Sequence, residues 1–306
     1  MTRTRTAVLA GALALTTALA ACSGGGSDAG PSRSASHPSP PTSSPATTST
    51  PTTHTPTPKQ IRAQVTSELH AIMKKQPHGA ISVAALNTKT GQRFAAGRTS
   101  GMWTASAYKL FCLSALLIGR SASSLSDGEV DSAERAIENS DNVAGYQLFL
   151  DAGGRPGLID AAHTFGMHHT IPGESDPTFT TTSGSDYLKL LEAITGRTKH
   201  DPLDHSARHF ILELMGEVES DQRWGVGSAA EKGTKFYNKN GWLSIENGNG
   251  PGEDDGGLWA VTSVGVLTVA HQQVLMAVFT RHQPDYTTGV KLVNRLSKLI
   301  APAVAR

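Results

Sequence analysis

A serine and a lysine three residues apart, Ser106 and Lys109, carry the clearest potential for chemistry in this 306-residue chain. They stand near the start of an apolar stretch, residues 102–118, that predicts a buried helix, and residues three apart on a helix share a face. Burial removes water from a lysine ammonium and lowers its pKa, so the amine can take the proton of a neighbouring hydroxyl. By itself the pair has a simpler interpretation, an ordinary helix start with the lysine reaching solvent.

Two further motifs follow this pair along the chain. Ser140-Asp141-Asn142 begins a predicted helix, and by itself Ser140 or Asp141 would be an ordinary N-cap. Lys239-Asn240-Gly241-Trp242 lies on a predicted strand and by itself would be a strand edge with a turn. In this order, Ser-x-x-Lys, Ser-Asp-Asn and Lys-x-Gly form the three-element set of serine β-lactamases and penicillin-binding proteins.

The elements around these motifs predict an α+β domain. A helix over 59–76 and strands over 80–86 and 92–96 precede the central helix. Helical patterns dominate residues 127–216, with helices predicted over 132–138, 142–152, 155–165, 185–195 and 206–216. Strands over 236–243, 258–269 and 274–280 and a helix over 289–300 complete the pattern. Strands at both ends of a helical middle predict one sheet, completed by both termini, that carries an inserted helical lobe.

At these motifs the chain resembles the class A β-lactamase family, and the resemblance covers residues 61–300. The helix "TASAYKLFCLSALL", the stretch "AIENSDNVAGYQLFLDAGGRPGLIDAAHTFGM", the segment "TTTSGSDYLKLLEAI" and the return "KNGWL" are all similar to their counterparts in that family. The resemblance implies a β-lactamase/transpeptidase-like α/β/α sandwich. Its antiparallel sheet is flanked by helices and joined to an all-helical lobe, with the site between them.

The resemblance also implies catalytic roles. Ser106 would be the acylated nucleophile, Lys109 its proton partner, and Ser140 the relay that protonates the departing nitrogen. The backbone N–H groups of Ser106 and Trp242 would form the oxyanion hole, whose preorganised donors stabilise the developing charge.

Substrate binding falls to four other residues by the same resemblance. Asn142 would hold a substrate amide and help to fix Lys109. Lys239 would place positive charge near the substrate carboxylate, and the next two residues of the motif, Asn240 and Gly241, would also bind substrate. The family has threonine or serine where this chain has Asn240, a departure that concerns the substrate preference more than the activity.

A second departure lies in the loop between residues 165 and 180. The family carries a Glu-Pro-x-Leu-Asn segment there, whose glutamate drives water onto the acyl-enzyme, but this loop is shorter and lacks that segment. Asp176 and Glu174 lie near its register and are candidate deacylation bases, or else solvated loop residues. We therefore expect acylation to be intact and deacylation to be impaired or rebuilt.

The N-terminus predicts export. Residues 1–22 combine basic residues with a short apolar run that ends at Cys22, which is similar to a bacterial lipoprotein signal. Lipid on Cys22 would anchor the protein to the outer face of the cytoplasmic membrane, while the alternative is a plain secretory signal. Residues 23–58 are rich in Gly, Ser, Thr and Pro and predict a disordered tether before the domain at 59–306.

Composition limits the partners. The chain has 27 basic and 26 acidic residues, which argues against nucleic acid. A lipidated Cys22 leaves Cys112 without a disulfide partner, and His200, His205 and His209 lack the companions of a metal motif. We expect a monomer without metal or cofactor, acting on a β-lactam or a D-alanyl-peptide-like substrate. The alternatives are a penicillin-binding-type DD-peptidase and a non-catalytic envelope lipoprotein of the same fold.

Overall fold

The computed structural model describes residues 56–76, 80–245 and 258–305. The predicted signal segment, the lipidation site at Cys22 and most of the predicted tether lie outside the described residues. The first helix, α1 (Pro58–Met73), begins one residue earlier than predicted, with Thr57 as its N-cap and Gln60 completing a capping box.

One antiparallel sheet organises the domain. Its strands are β1 (Ile81–Asn87), β2 (Arg93–Gly97), β5 (Tyr237–Ile245), β6 (Leu258–Val269) and β7 (Gln272–Gln283), and they lie in the order β2-β1-β7-β6-β5. β1, near the start of the domain, pairs with β7, near its end, with Ile81 opposite Thr280. The sheet is therefore completed by both ends of the domain, as the sequence predicts.

Helices cover both faces of this sheet. The two faces follow from the alternation of side chains along a strand: Val83 and Ala85 pack with α1, α8 (Tyr286–Ile300) and α9 (Pro302–Ala305). Ala84 and Leu86 pack in the other core, with the inserted helices. These are α2 (Tyr108–Leu116), α3 (Asp127–Glu138), α4 (Asn142–Asp151), α5 (Gly154–Thr164), α6 (Gly184–Ile194) and α7 (His205–Gly216). The predicted fold class is confirmed.

The central helix differs from its prediction at the start. Residues 102–103 form a short strand, β3 (Met102–Trp103), which pairs with β4 (Thr181–Thr182), and Ala105–Ala107 form a 3-10 turn before α2 begins. Ala105 has φ 44°, in the left-handed region that breaks a continuous helix. From Tyr108 to Ser114 every residue of α2 is buried, as predicted from its apolar composition.

The predicted start of α3 also moves, because of local hydrogen bonding that apolar periodicity does not reveal. α3 begins at Asp127 instead of Ser132, because Ser126 and Glu129 form a capping box. In the part of the chain that the structure describes, no helix is long and apolar enough to cross a membrane.

Candidate active site

The pair Ser106 and Lys109 lies at the buried start of α2. The Lys109 Nζ donates to Ser106 Oγ at 3.1 Å, and the lysine is fully buried. Ser106 lies in the 3-10 turn just after Ala105, whose positive φ is a strained conformation of the kind found at functional sites. The turn brings the hydroxyl and the amine within hydrogen-bond distance.

Lys109 also connects α2 to the start of α4. Its Nζ donates to Ser140 O at 2.6 Å and to Asn142 Oδ1 at 2.8 Å. Ser140 has φ 59°, and Asp141 is the N-cap of α4, because its carboxylate accepts the Ala144 N–H at 2.8 Å. Of the two N-cap candidates in the sequence, Asp141 is therefore the one that caps.

The third motif reaches the same serine from β5. The Lys239 Nζ donates to Ser140 Oγ at 2.8 Å, while the Lys109 Nζ lies 3.4 Å from that oxygen. Lys239 is fully buried and also donates to Asn240 O at 3.2 Å. The Ser140 hydroxyl thus lies between two lysine amines, one from each side of the site.

Burial changes the charge state of both lysines. Loss of water lowers the pKa of Lys109 to about 8, although the nearby Asp141 carboxylate partly opposes this shift. Burial and the positive charge of Lys109 lower the pKa of Lys239 well below its ordinary value. With a pKa of about 8, part of the Lys109 amine is neutral near neutral pH and can accept and return a proton beside a hydroxyl.

Gly241 lets β5 approach the 3-10 turn that holds Ser106. A β-carbon built on Gly241 would lie 2.7 Å from Thr104 O and 2.9 Å from Ser106 N, closer than real atoms pack. Ser106 is in the first turn of its helical segment, where backbone N–H groups have no helical acceptor. The residue after Gly241 on this strand is Trp242, which is half-buried.

The Asn240 side chain is held by the segment before β5. Its Nδ2 donates to Gln222 O at 2.7 Å and to Trp224 O at 3.2 Å, and the residue is buried. Its Oδ1 has no hydrogen-bond partner among the described residues. Both donor hydrogens of the amide are therefore engaged by backbone carbonyls, and a substrate carboxylate would have to compete for them.

Sequence reasoning missed Gln222, which links two of the motifs. Its Nε2 donates to Asn139 O, next to Ser140, at 3.2 Å, and its carbonyl accepts from both Asn238 and Asn240. The one signal in the sequence is a pair of asparagines, Asn238 and Asn240, at alternate positions of a predicted strand. Their partner, 16 and 18 residues away, is not readable from that pattern.

In the shortened loop, Asp176 has a local structural task. Its exposed carboxylate accepts the Thr178 N–H at 2.8 Å and caps the 3-10 turn Pro177–Phe179, while Glu174 is exposed on the same loop. The base of the loop is tied by Asp186, a fully buried carboxylate that sequence reasoning also missed. It accepts from His169 N at 2.7 Å and from the Thr170 hydroxyl at 3.0 Å.

The remaining candidates take no part in this cluster. Cys112 is a buried free cysteine of α2, and burial raises the pKa of its thiol. The rings of His205 and His209 lie 6.5 Å apart on α7. Within residues 56–76, 80–245 and 258–305, no group of three His, Cys, Asp or Glu side chains is arranged to hold a metal ion.

Solved structures of similar fold include PBP-A and an extended-spectrum β-lactamase. A mutant of PBP-A, in an acyl-enzyme complex with penicillin G, superposes with a TM-score of 0.64 at 18% identity, covering 79% of this chain and 96% of that one. A mutant of the TLA-1 extended-spectrum β-lactamase superposes with a TM-score of 0.67 at 14% identity, covering 80% and 99%. At these identities the similarity supports the fold alone.

Sequence comparisons add a relative and a family. LppW of Mycobacterium tuberculosis and of Mycobacterium bovis, provisionally named a lipoprotein, is 26% identical over 232 residues, or 72% of this chain and 69% of LppW. The sequence profile of the beta-lactamase enzyme family matches residues 128–304, more than half of the chain. That match includes Ser140, Asn142 and Lys239, and it begins after Ser106 and Lys109. The chain therefore belongs to the beta-lactamase enzyme family.

Proposed function

We propose that the protein is a serine hydrolase of the class A β-lactamase type, which opens β-lactams or related amides through an acyl-enzyme on Ser106. One observation carries the proposal: a buried lysine whose pKa is about 8 donates to the Ser106 hydroxyl at 3.1 Å and reaches Ser140 as well. A general base is most effective when its pKa is near the working pH.

In the acylation step, the neutral Lys109 amine takes the proton of Ser106 as Oγ attacks the amide carbonyl carbon. The carbonyl electron pair moves onto oxygen and gives a tetrahedral oxyanion. Collapse of this intermediate restores the carbonyl, breaks the C–N bond and leaves an ester on Ser106. The proton passes from Lys109 through the Ser140 hydroxyl, 3.4 Å away, to the leaving nitrogen.

The oxyanion would be bound by the backbone N–H groups of Ser106 and Trp242. The close approach of Gly241 to Ser106 N supports this assignment, since it brings the β5 backbone next to the nucleophile. Such donors contribute roughly 10²–10³ in rate in other acyl-transfer enzymes. Lys239 would lie near the substrate carboxylate, whose negative charge would raise the pKa of Lys239 and favour its protonated form.

Deacylation is proposed to be slow. It needs a base that holds water over the ester, and the two acids of the shortened loop, Asp176 and Glu174, are both exposed. Asp176 already accepts a backbone N–H as the cap of a 3-10 turn, which fixes its carboxylate in a structural role. Loss of one positioned general base typically lowers a rate by about 10²–10⁴.

The same capping role of Asp176 favours a second candidate, a DD-peptidase of the penicillin-binding type acting on D-alanyl peptides. Such an enzyme would use the same acylation groups, and penicillin would trap it as a long-lived ester. The two candidates differ in which ester is cleared, the one from a β-lactam or the one from a peptide.

We also propose that the protein works outside the cell, as a monomer held on the outer face of the cytoplasmic membrane by lipid on Cys22. The similarity to LppW, named as a lipoprotein, supports the anchor. The substrates of both candidate reactions, wall peptides and β-lactams, are encountered there.

Intact-protein mass spectrometry after incubation with penicillin G tests the proposal. Because ring opening loses no atoms, acylation adds the full mass of penicillin, and the Ser106→Ala variant is the matched control. We expect an adduct on the wild type that persists, and none on the variant. An adduct that clears quickly would contradict slow deacylation. Absence of any adduct, together with no cleavage of a D-alanyl-D-alanine peptide, would exclude both candidate reactions. The remaining hypothesis would then be a non-catalytic envelope lipoprotein of the same fold.

A further inference from the structure

One close contact in the site has no role in the proposed reaction, the contact between α4 and the aliphatic part of the Lys109 side chain. Gly145, in the first turns of α4, is buried against it. A β-carbon built on Gly145 would lie 2.4 Å from Lys109 Cε and 2.8 Å from Lys109 Cγ. It would also lie 2.7 Å from the Tyr108 hydroxyl oxygen. Real β-carbons do not approach other atoms so closely, so the site as built requires a hydrogen at this position.

The clash cannot be relieved cheaply, because the two lysine atoms lie within the chain and not at a free end. The far end of Lys109 is fixed by the hydroxyl of Ser106, by Ser140 O and by Asn142 Oδ1. Its near end is fixed by the buried helix α2. Movement of Cε away from α4 would therefore stretch at least one of the hydrogen bonds that orient the amine.

Helix preference does not explain the glycine. In a helix interior, glycine is less favourable than alanine by roughly 1 kcal/mol. Gly145 does not have a positive φ, which would be the other common reason for a glycine. What remains is the close approach itself, since α4 packs over the aliphatic part of Lys109 at a distance that no other residue allows.

We infer that Gly145 is a positioning residue of the site, which lets α4 close over Lys109 and so holds the amine beside Ser106 and Ser140. The catalytic side of this inference rests on the proposed function. Its packing side, the direct conflict between a β-carbon at 145 and the Lys109 chain, does not depend on any reaction. A larger residue would push the lysine out of line and let water reach it.

A double-mutant cycle on thermal stability tests the packing side. Gly145→Ala should lower the melting temperature in the wild-type background and should lower it much less in a Lys109→Ala background, which lacks both Cγ and Cε. Gly128→Ala is the matched control, because Gly128 is in the first turn of α3 and a β-carbon there would meet no atom within 4 Å. Gly145→Ala effects that are equal in the two backgrounds would overturn the inference.

The same cycle with Tyr108→Phe separates the two neighbours of Gly145. If Lys109 is the residue held, Gly145→Ala remains destabilising after the Tyr108 hydroxyl is removed. If Gly145→Ala no longer lowers the melting temperature in the Tyr108→Phe background, the close contact is with the hydroxyl and not with Lys109. That result would also overturn the inference.

The catalytic side is read from the pH profile of acylation by penicillin. Gly145→Ala should acylate about 10- to 100-fold more slowly than wild type, in line with the effect of displacing a reacting group by about 1 Å. Its acid limb should move to higher pH, because hydration raises the pKa of Lys109 toward that of an ordinary lysine. A wild-type rate and profile would overturn the inference. If the wild type itself is not acylated, the proposed function fails and the stability cycle still decides the role of Gly145.

Discussion

The charge state of Lys109 predicts a specific pH dependence for acylation. With a pKa of about 8, close to one half of the amine is neutral at pH 8, about a tenth at pH 7 and about a hundredth at pH 6. Since only the neutral amine can take the Ser106 proton, the acylation rate should fall tenfold per pH unit below pH 7. The rate should level off above pH 9.

The assay is stopped-flow labelling by a fluorescent penicillin at saturating concentration, between pH 5.5 and pH 9.5. Saturation matters because the carboxylate of the bound penicillin is expected to raise the pKa of Lys239 and favour its protonated form. A Lys109→Met variant gives the reference, with a slow rate that does not follow the same limb. If the wild-type acylation rate instead rises with a midpoint near the ordinary lysine pKa, or does not depend on pH, Lys109 is not the base.

Asp141→Asn makes the same prediction testable in a second direction. The Asp141 carboxylate raises the pKa of Lys109, so its removal should shift the acid limb to lower pH and speed acylation at pH 6. Asparagine caps helices as well as aspartate does, so the start of α4 should persist. The lost ion pair with Arg135 is partly exposed and contributes little to stability. A shift of the limb to higher pH would contradict the electrostatic reasoning.

Three further outcomes follow from the geometry. Gly241→Ala should slow acylation by roughly 10² or more. A β-carbon there would lie 2.9 Å from Ser106 N and would force β5 away from Ser106. Undiminished labelling of this variant would contradict the prediction. Ser106→Ala should abolish labelling by a fluorescent penicillin, and Lys109→Ala should slow it severely. Since the two residues act as a unit, the double variant should be little worse than either single variant. Additive losses would show that the two residues have independent roles. Asp176→Asn should leave the lifetime of the acyl-enzyme unchanged, because asparagine can still cap the 3-10 turn. A lifetime about 10² longer, measured by loss of the adduct, would instead identify Asp176 as the deacylation base.

Much of the site follows from residue type and order. The buried helix α2 was predicted from an apolar sequence without a polar face, and the Ser-x-x-Lys spacing indicated that Ser106 and Lys109 would be neighbours. The break before α2 was not predictable, because the positive φ of Ala105 is imposed by contacts with distant parts of the chain. One of them is the Thr104 N–H to Thr180 O hydrogen bond, at 2.9 Å.

The position of Asn240 shows a second limit of the sequence. Its type suggested an amide offered to a substrate, yet its donors reach Gln222 O and Trp224 O. Such contacts depend on how the segment before β5 folds back, which no local pattern encodes. The start of α3, by contrast, could have been predicted, since Ser126 and Glu129 have the spacing of a capping box.

The pairing of β1 with β7 has a consequence for the order in which the chain can fold. Ile81 and Thr280 are about 200 residues apart, so the middle of the sheet cannot form until nearly the whole domain is available. Folds dominated by such distant pairings form slowly, because a long loop must close before any contact compensates for the lost entropy. If the protein is exported as proposed, its N-terminus crosses the membrane while the partner of β1 is still inside the cell. The topology would then keep the chain unfolded, and so able to be translocated, without any other factor to delay its folding.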